Sequence, residues 1–223
     1  MADFDLIIFD CDGTLTDSEY LNTQAFLKIL EEDGITGYTL EHAYKHWMGL
    51  TISNILLSIQ METGKNLPDN INMRYVRRVA QMQETHLRPV EGALKLVMAA
   101  KKKFKICVAS NGERANVLSS LEQTGLMVNF TPETVFTKIQ VKNPKPFPDL
   151  FLFAARSMGA DPARCLVIED SGAGVAAGRA AGMTTWGFVG AAHDPKEQEK
   201  TLKSAGAHLV FERLIHIREK LGL

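Results

Sequence analysis

Residues 6–9, Leu6-Ile7-Ile8-Phe9, form an unbroken apolar run that stops at Asp10. A run this short, without polar alternation, reads as a strand buried on both faces, and such strands belong to sheets covered by helices on both sides. The pattern recurs. The run from Phe104 to Ala109 ends in Ser110-Asn111-Gly112, and the run from Cys165 to Ile168 ends in Glu169-Asp170. Stretches with helical spacing separate these runs, so the chain is expected to be α/β, with a Rossmann-like, doubly wound parallel sheet.

One long stretch breaks the alternation. After Thr14, Asp17 or Ser18 can cap a helix, and Leu21, Ala25, Leu27, Ile29 and Leu30 recur at helical spacing until Gly34. From there to about residue 88 no convincing strand occurs, and the segments near 40–48, 51–64 and 69–87 read as helices punctuated by Gly37, Gly49, Gly64 and Pro68. The expected organisation is a core of residues 1–15 and 89–223 that carries an all-helical insert, residues 16–88. Because the insert leaves the core just after the first strand, it is expected to stand over the strand ends as a cap domain. Beyond it, a helix from Ala93 to about Lys101, strands near residues 135–137 and 184–189, helices ending at Gly125, Gly159 and Gly182, a helix opened by Asp194-Pro195 and a terminal strand near Leu209 complete the series.

Composition narrows the partners. The 223 residues include 45% hydrophobic ones, enough for a packed core, and 25 basic against 26 acidic residues leave a net charge of −1. Neither a nucleic-acid footprint nor an acidic tail shows in that balance, so small metabolites are the natural partners. Cys11, Cys107 and Cys165 lie in or beside apolar runs without Cys-x-x-Cys spacing, which suits buried thiols in a reducing compartment. The first apolar run is far too short for a signal peptide or a membrane span, so a cytoplasmic protein without membrane association, and a monomer, is expected.

The polar residues at the strand ends suggest chemistry. In extended chain, residues two apart point the same way, so Asp10 and Asp12 can aim at one point beyond the carboxyl end of their strand, where open α/β sheets bind ligands. Two carboxylates so close favour a divalent cation or a shared proton, and hard oxygen donors favour Mg²⁺ over zinc. A calcium loop would need a glutamate at its twelfth position, which here is Leu21. Ser110, Lys145 between Pro144 and Pro146, and the pair Glu169-Asp170 occupy the other strand ends. Together they supply a nucleophile, a second carboxylate for proton transfer, a hydroxyl, a cation and a metal-binding pair, which are the parts of phosphoryl transfer through an aspartyl phosphate.

These residues resemble the four motifs of the haloacid dehalogenase (HAD) superfamily of Mg²⁺-dependent phosphohydrolases, in the subgroup with a helical cap after the first strand. Asp10-Cys11-Asp12-Gly13-Thr14 is similar to the first motif and Val108-Ala109-Ser110-Asn111-Gly112 to the second. Lys145-Pro146-Phe147-Pro148-Asp149 is similar to the third, and Ile168-Glu169-Asp170-Ser171 with Gly174 and Ala181-Gly182 to the fourth. The resemblance implies that Asp10 is the nucleophile and Asp12 the general acid and base. It implies that Ser110, the Asn111 amide and Lys145 hold the phosphoryl oxygens. Mg²⁺ would be bound by Asp10, the Asp12 backbone carbonyl, Asp170 and Glu169. It further implies a phosphatase acting on a small phosphorylated metabolite, a sugar phosphate or similar.

The chief alternative is a β-phosphoglucomutase-like sugar-phosphate mutase, whose pattern has a histidine and an arginine where this chain carries Asn22 and Ile52. Gly172-Ala173-Gly174 imitates a dinucleotide fingerprint, but Glu169 and Asp170 directly before it would repel a pyrophosphate, and the glycines are expected to permit close helix packing. His42 and His46 have the i, i+4 spacing of a zinc pair without a third ligand nearby, so solvent-facing or pocket-lining roles are expected. In the insert, Trp47, Gly49 and Thr51 are the expected substrate-facing residues, and Arg74, Tyr75, Arg77 and Arg78 could recognise a second anionic group.

Overall fold

A computed structural model describes residues 4–47 and 52–223, the side chains of residues 19 and 83–86 excepted. The chain divides into two compact units, residues 18–86 and the remainder. The core unit contains β1 (Leu6–Phe9), α5 (Ala93–Lys101), β2 (Lys105–Ser110), α6 (Arg114–Gln123), β3 (Val135–Thr137), α7 (Asp149–Ser157), β4 (Cys165–Glu169), α8 (Gly172–Ala180), β5 (Thr184–Phe188), α9 (Pro195–Ser204), β6 (Leu209–Phe211) and α10 (Leu214–Lys220). The insert contains α1 (Glu19–Glu32), α2 (Leu40–His46), α3 (Ile52–Thr63) and α4 (Ile71–His86).

All six strands are parallel, in the order β3-β2-β1-β4-β5-β6. The chain winds outward from β1 in one direction and then restarts at β4 on the other side, which makes the carboxyl end of β1 a topological switch point. Side-chain alternation divides the core between the two sheet faces. Ile7, Phe9, Ile106, Val108, Leu166 and Ile168 pack under α5, α6 and α10, whereas Leu6, Ile8, Cys107, Ala109, Cys165 and Val167 pack under α7 and α8. Burial on both faces is why these strands lack polar alternation.

Within the core unit, the segments that lead to and from the insert pair with each other. Thr16 pairs with Pro89 in an isolated antiparallel bridge, flanked by hydrogen bonds from Asp17 N to Arg88 O (3.0 Å) and from Val90 N to Leu15 O (2.9 Å). The two connecting segments form a paired strap within the core unit, and the compact units divide at residues 17/18 and 86/87.

The insert has its own core. Phe26, Ile29 and Leu30 of α1 meet Ile55 and Ile59 of α3, Ile71 of α4, and Trp47 after α2. Ser18 occupies the cap position of α1 but its side chain accepts no capping bond, whereas Thr39 caps α2 by accepting from His42 N at 3.1 Å. Helix α10 is absent from the sequence reading. Leu214, Ile217 and Leu221 bury its inner face, but it is short, and Arg213 at its cap position gives no start signal.

Candidate active site

The register of the sheet brings the site together. Phe9 stands opposite Val108 and Ile168, so the next residue, Asp10, lies level with the ends of β2 and β4. One carboxylate oxygen from each of Asp10, Glu169 and Asp170 lies within 4.8 Å of the others; among the described residues no other such group of His, Cys, Asp or Glu converges. A pocket of about 190 Å³ opens beside them, lined also by Asp12, Ser110, Asn111, Gly112, Lys145, Ser171 and Ala173. Among the described residues His42 and His46 gain no third ligand: the half-buried His42 ring packs against Tyr38 and Trp47, and the His46 ring lies 4.7 Å from it.

Lys145 holds the centre of this arrangement. Its buried Nζ donates to Asp10 Oδ1 (2.6 Å), Glu169 Oε1 (2.5 Å) and the Ala109 carbonyl (2.7 Å), which occupies all three ammonium protons. Its backbone is fixed as firmly, because the Asn111 side chain donates to Lys145 O (2.9 Å) and accepts from Lys145 N (3.1 Å). The Asn111 carboxamide thus anchors the lysine loop, a role absent from the sequence reading. Glu169 is equally engaged: its second oxygen accepts from Ser171 N and Oγ, both at 2.9 Å, and the same Ser171 hydroxyl caps α8 by accepting from Gly174 N.

One ammonium faces two carboxylates here. Burial disfavours the charge on Lys145, but Asp10 and Glu169 outweigh it and raise its pKa, so the lysine stays protonated. For Asp10, burial pushes the carboxyl well above its ordinary range, Lys145 opposes this and Glu169 adds to it. The surplus negative charge calls for a proton or a cation. Hard carboxylate oxygens fit a divalent ion of the Mg²⁺ type, with Asp170 the third member of the set.

Two glycines make room for these carboxylates. Gly13 has φ +78°, and a Cβ there would overlap Asp170 Oδ2; a Cβ on Gly174 would overlap the Glu169 carboxylate. Gly174 therefore seats a side chain instead of admitting a neighbouring helix. The helix-packing expectation suits Gly172 better, where a Cβ would come within 3.1 Å of Thr201 in α9. Asp170 is further oriented by Thr14 Oγ1, which donates to its Oδ1 at 3.3 Å.

Ser110 is buried at the end of β2 with its Oγ accepting from Gly112 N at 3.0 Å, while the exposed Asp12 carboxylate stands outside the three-carboxylate group. The insert residues depart from expectation. Trp47 is 6% exposed and spends its ring on Phe26 and Tyr38, so it is a core residue of the insert and not a substrate-facing one; Gly49 and Thr51 lie outside the described residues. Arg74 and Arg78 are taken up in ion pairs with Glu32 and Asp33, and Tyr75 packs on Phe26, so of that group Arg77 alone stays clear of these internal contacts as an exposed cation. The physical reason is shared: aromatic and arginine side chains on short helices satisfy the fold of a small domain first.

Residues 7–188 match the family described as haloacid dehalogenase-like hydrolase. The chain belongs to that family. Among similar proteins of this haloacid dehalogenase-like family, a 6-phosphogluconate phosphatase of Escherichia coli is 30% identical over 195 residues, covering 87% of this chain and 86% of that protein. A fructose-1-phosphate phosphatase of the same organism is 30% identical over 180 residues, covering 79% and 92%. The crystal structure of a HAD family hydrolase from Deinococcus radiodurans, with bound phosphate and sodium, superposes with a TM-score of 0.89 at 30% identity, covering all of this chain and 96% of that one. No helix among the described residues is long and apolar enough to cross a membrane.

Proposed function

We propose that this protein is a Mg²⁺-dependent phosphatase that hydrolyses a small sugar phosphate or sugar-acid phosphate through an aspartyl phosphate on Asp10. The observation that carries the reading is the buried Asp10–Lys145–Glu169 group with Asp170 beside it. The named activities of the Escherichia coli relatives support the substrate class. A pocket of about 190 Å³ is smaller than the ~300–1,000 Å³ typical of whole-metabolite sites, which suits a recess for the phosphoryl group alone.

The residues divide the work as follows. Lys145 keeps Asp10 ionised and aimed, so that one of its oxygens forms the bond to phosphorus as the bond to the leaving oxygen breaks. A divalent ion would be held by Asp10, Asp170, the Asp12 carbonyl and Glu169, which also anchors Lys145, and would supply the charge that lets an anionic nucleophile meet an anionic phosphate. Asp12, exposed and outside the carboxylate group, donates a proton to the leaving oxygen. It then takes one from the water that attacks phosphorus, which returns the Asp10 carboxylate and releases inorganic phosphate. The Ser110 hydroxyl and the Asn111 backbone N–H hold the phosphoryl oxygens, and Lys145 joins them by exchanging one of its three acceptors.

The test is release of inorganic phosphate from 6-phosphogluconate, fructose 1-phosphate and other sugar phosphates. Turnover is expected with Mg²⁺, none in EDTA, and a loss of about 10⁴-fold or more for Asp10→Asn, in line with removal of a nucleophile elsewhere. Turnover unaffected by EDTA or by Asp10→Asn overturns the mechanism. With β-glucose 1-phosphate and a trace of the bisphosphate, phosphate is expected to outpace glucose 6-phosphate; the reverse makes the protein a mutase.

A further inference from the structure

Asp170 sits one residue past the last rung of the sheet, since the pairing of β4 with β5 ends at Glu169 opposite Gly187. Turning the peptide at this strand end would carry the Asp170 carboxylate with it, so whatever holds that peptide also sets where the carboxylate stands. A side chain holds it: Gln198 Nε2, in the first turn of α9, donates to Asp170 O. The orientation of the amide follows from chemistry, because a carbonyl oxygen can only accept and so must face the nitrogen. Gln198 is itself placed with care. Asp194 caps α9 by accepting from Lys196 N and Glu197 N, both at 3.1 Å, Pro195 opens it, and Leu202 buries its inner face beside Val175 of α8.

We propose that Gln198 is a positioning residue for the divalent-cation site: it locks the Asp170 peptide from behind while Thr14 and the bare Gly13 set the carboxylate in front. This rests on the reading of Asp170 as a metal ligand. Gln198 touches neither substrate nor ion; it narrows the range of orientations from which Asp170 must be recruited, so its loss acts on cation affinity and not on the chemical step. Partners that orient a ligand from outside the coordination sphere commonly contribute about 10- to 100-fold in metal affinity.

The experiment follows Mn²⁺ binding to the substrate-free protein by the electron paramagnetic resonance signal of the free ion at pH 7.5, for the parent, Asp170→Asn, Gln198→Met and Gln198→Glu. Asp170→Asn is expected to lose binding, and Gln198→Met to raise Kd about tenfold. Gln198→Glu separates positioning from charge: a new carboxylate near the site would tighten cation binding through space, but it faces Asp170 O without a proton to donate, so a weaker Kd is expected. In turnover, the Mg²⁺ concentration for half-maximal rate rises by a similar factor for Gln198→Met while kcat at saturating Mg²⁺ holds within about threefold. A Gln198→Met Kd within about twofold of the parent, or a Gln198→Glu Kd tighter than the parent, overturns the proposal, and the Glu variant, which keeps the side-chain shape, decides alone where the Met variant fails to fold. A parent that binds no Mn²⁺, or an Asp170→Asn protein that binds like the parent, overturns the metal reading and this inference with it.

Discussion

The two units of this chain handle clustered charge in opposite ways. In the core, Lys145, Asp10 and Glu169 have side chains 3%, 9% and 1% exposed, joined at 2.6 and 2.5 Å. In the insert, Arg74, Arg78, Glu32 and Asp33 are 29%, 28%, 45% and 13% exposed and pin α4 to the end of α1 at 2.6 to 3.0 Å. The distances are alike and the environments are not. Water screens the insert pairs and shares their solvation, so each adds little net stability. The core group is held where desolvation is severe, which folding alone does not require and which an apolar trio would avoid. Burial, and not ion-pair geometry, separates the functional cluster from the structural one.

The sharpest way to break the comparison is to remove the central cation from each cluster. Lys145→Met leaves two buried carboxylates without their shared cation, and a loss of about 3–5 kcal/mol in urea unfolding, with turnover falling below detection, is expected. An intermediate effect is expected at the seat of Glu169. Gly174→Ala forces a Cβ into its carboxylate and should lower stability by about 1–3 kcal/mol, with a parallel loss of kcat because Lys145 loses its second anchor. In the insert, Arg74→Ala should cost under about 1 kcal/mol, and that cost should shrink further at 1 M salt, where screening extends over only ~3 Å. Should Arg74→Ala match Lys145→Met in unfolding midpoint, the distinction drawn from burial fails.

The smallest expected effect is a pH dependence confined to the insert. Hydrogen bonds from Arg78, then Arg74, lower the pKa of Glu32. A lowered carboxyl pKa contributes stability that is present above the unfolded value, ~4.3, and is lost as pH falls through the folded value. The difference in Tm between the parent and Arg78→Ala is therefore expected to hold at pH 6–7 and to close as pH falls below about 4. A difference that widened on acidification would show that Arg78 acts through something other than Glu32.

Much of the core was legible before any coordinates because its signals are local. Burial on both faces leaves an unbroken apolar run, and the polar residue that follows marks the strand end, which is how Asp10, Ser110 and Glu169-Asp170 could be read out. Helix α10 was not legible, being short and uncapped. Trp47 was misread because a segment rich in His, Trp and Gly resembles a binding loop in one dimension. Its partners Phe26 and Tyr38 are visible only once α1 and α2 pack. The insert arginines were misread for the same reason, since the acids that engage Arg74 lie 41 and 42 residues away.

By itself the sequence determined the order of strands and helices as far as β6, the place of the helical insert and the positions of the polar residues at strand ends. These follow from hydrophobic period and chain order, which need no knowledge of partners. Only the tertiary structure decided that Lys145 is shared by Asp10 and Glu169, that Asn111 anchors the lysine loop, that Gly13 and Gly174 are spaces for carboxylates, and that Gln198 donates to the Asp170 carbonyl. Apart from Gly174 with Glu169, those contacts join residues 24 to 157 positions apart, brought together by the register of β1 with β2 and β4. A shift of one residue in that register would send each side chain to the other face, so the pairing of buried charges is a property of the assembled sheet and not of any segment within it.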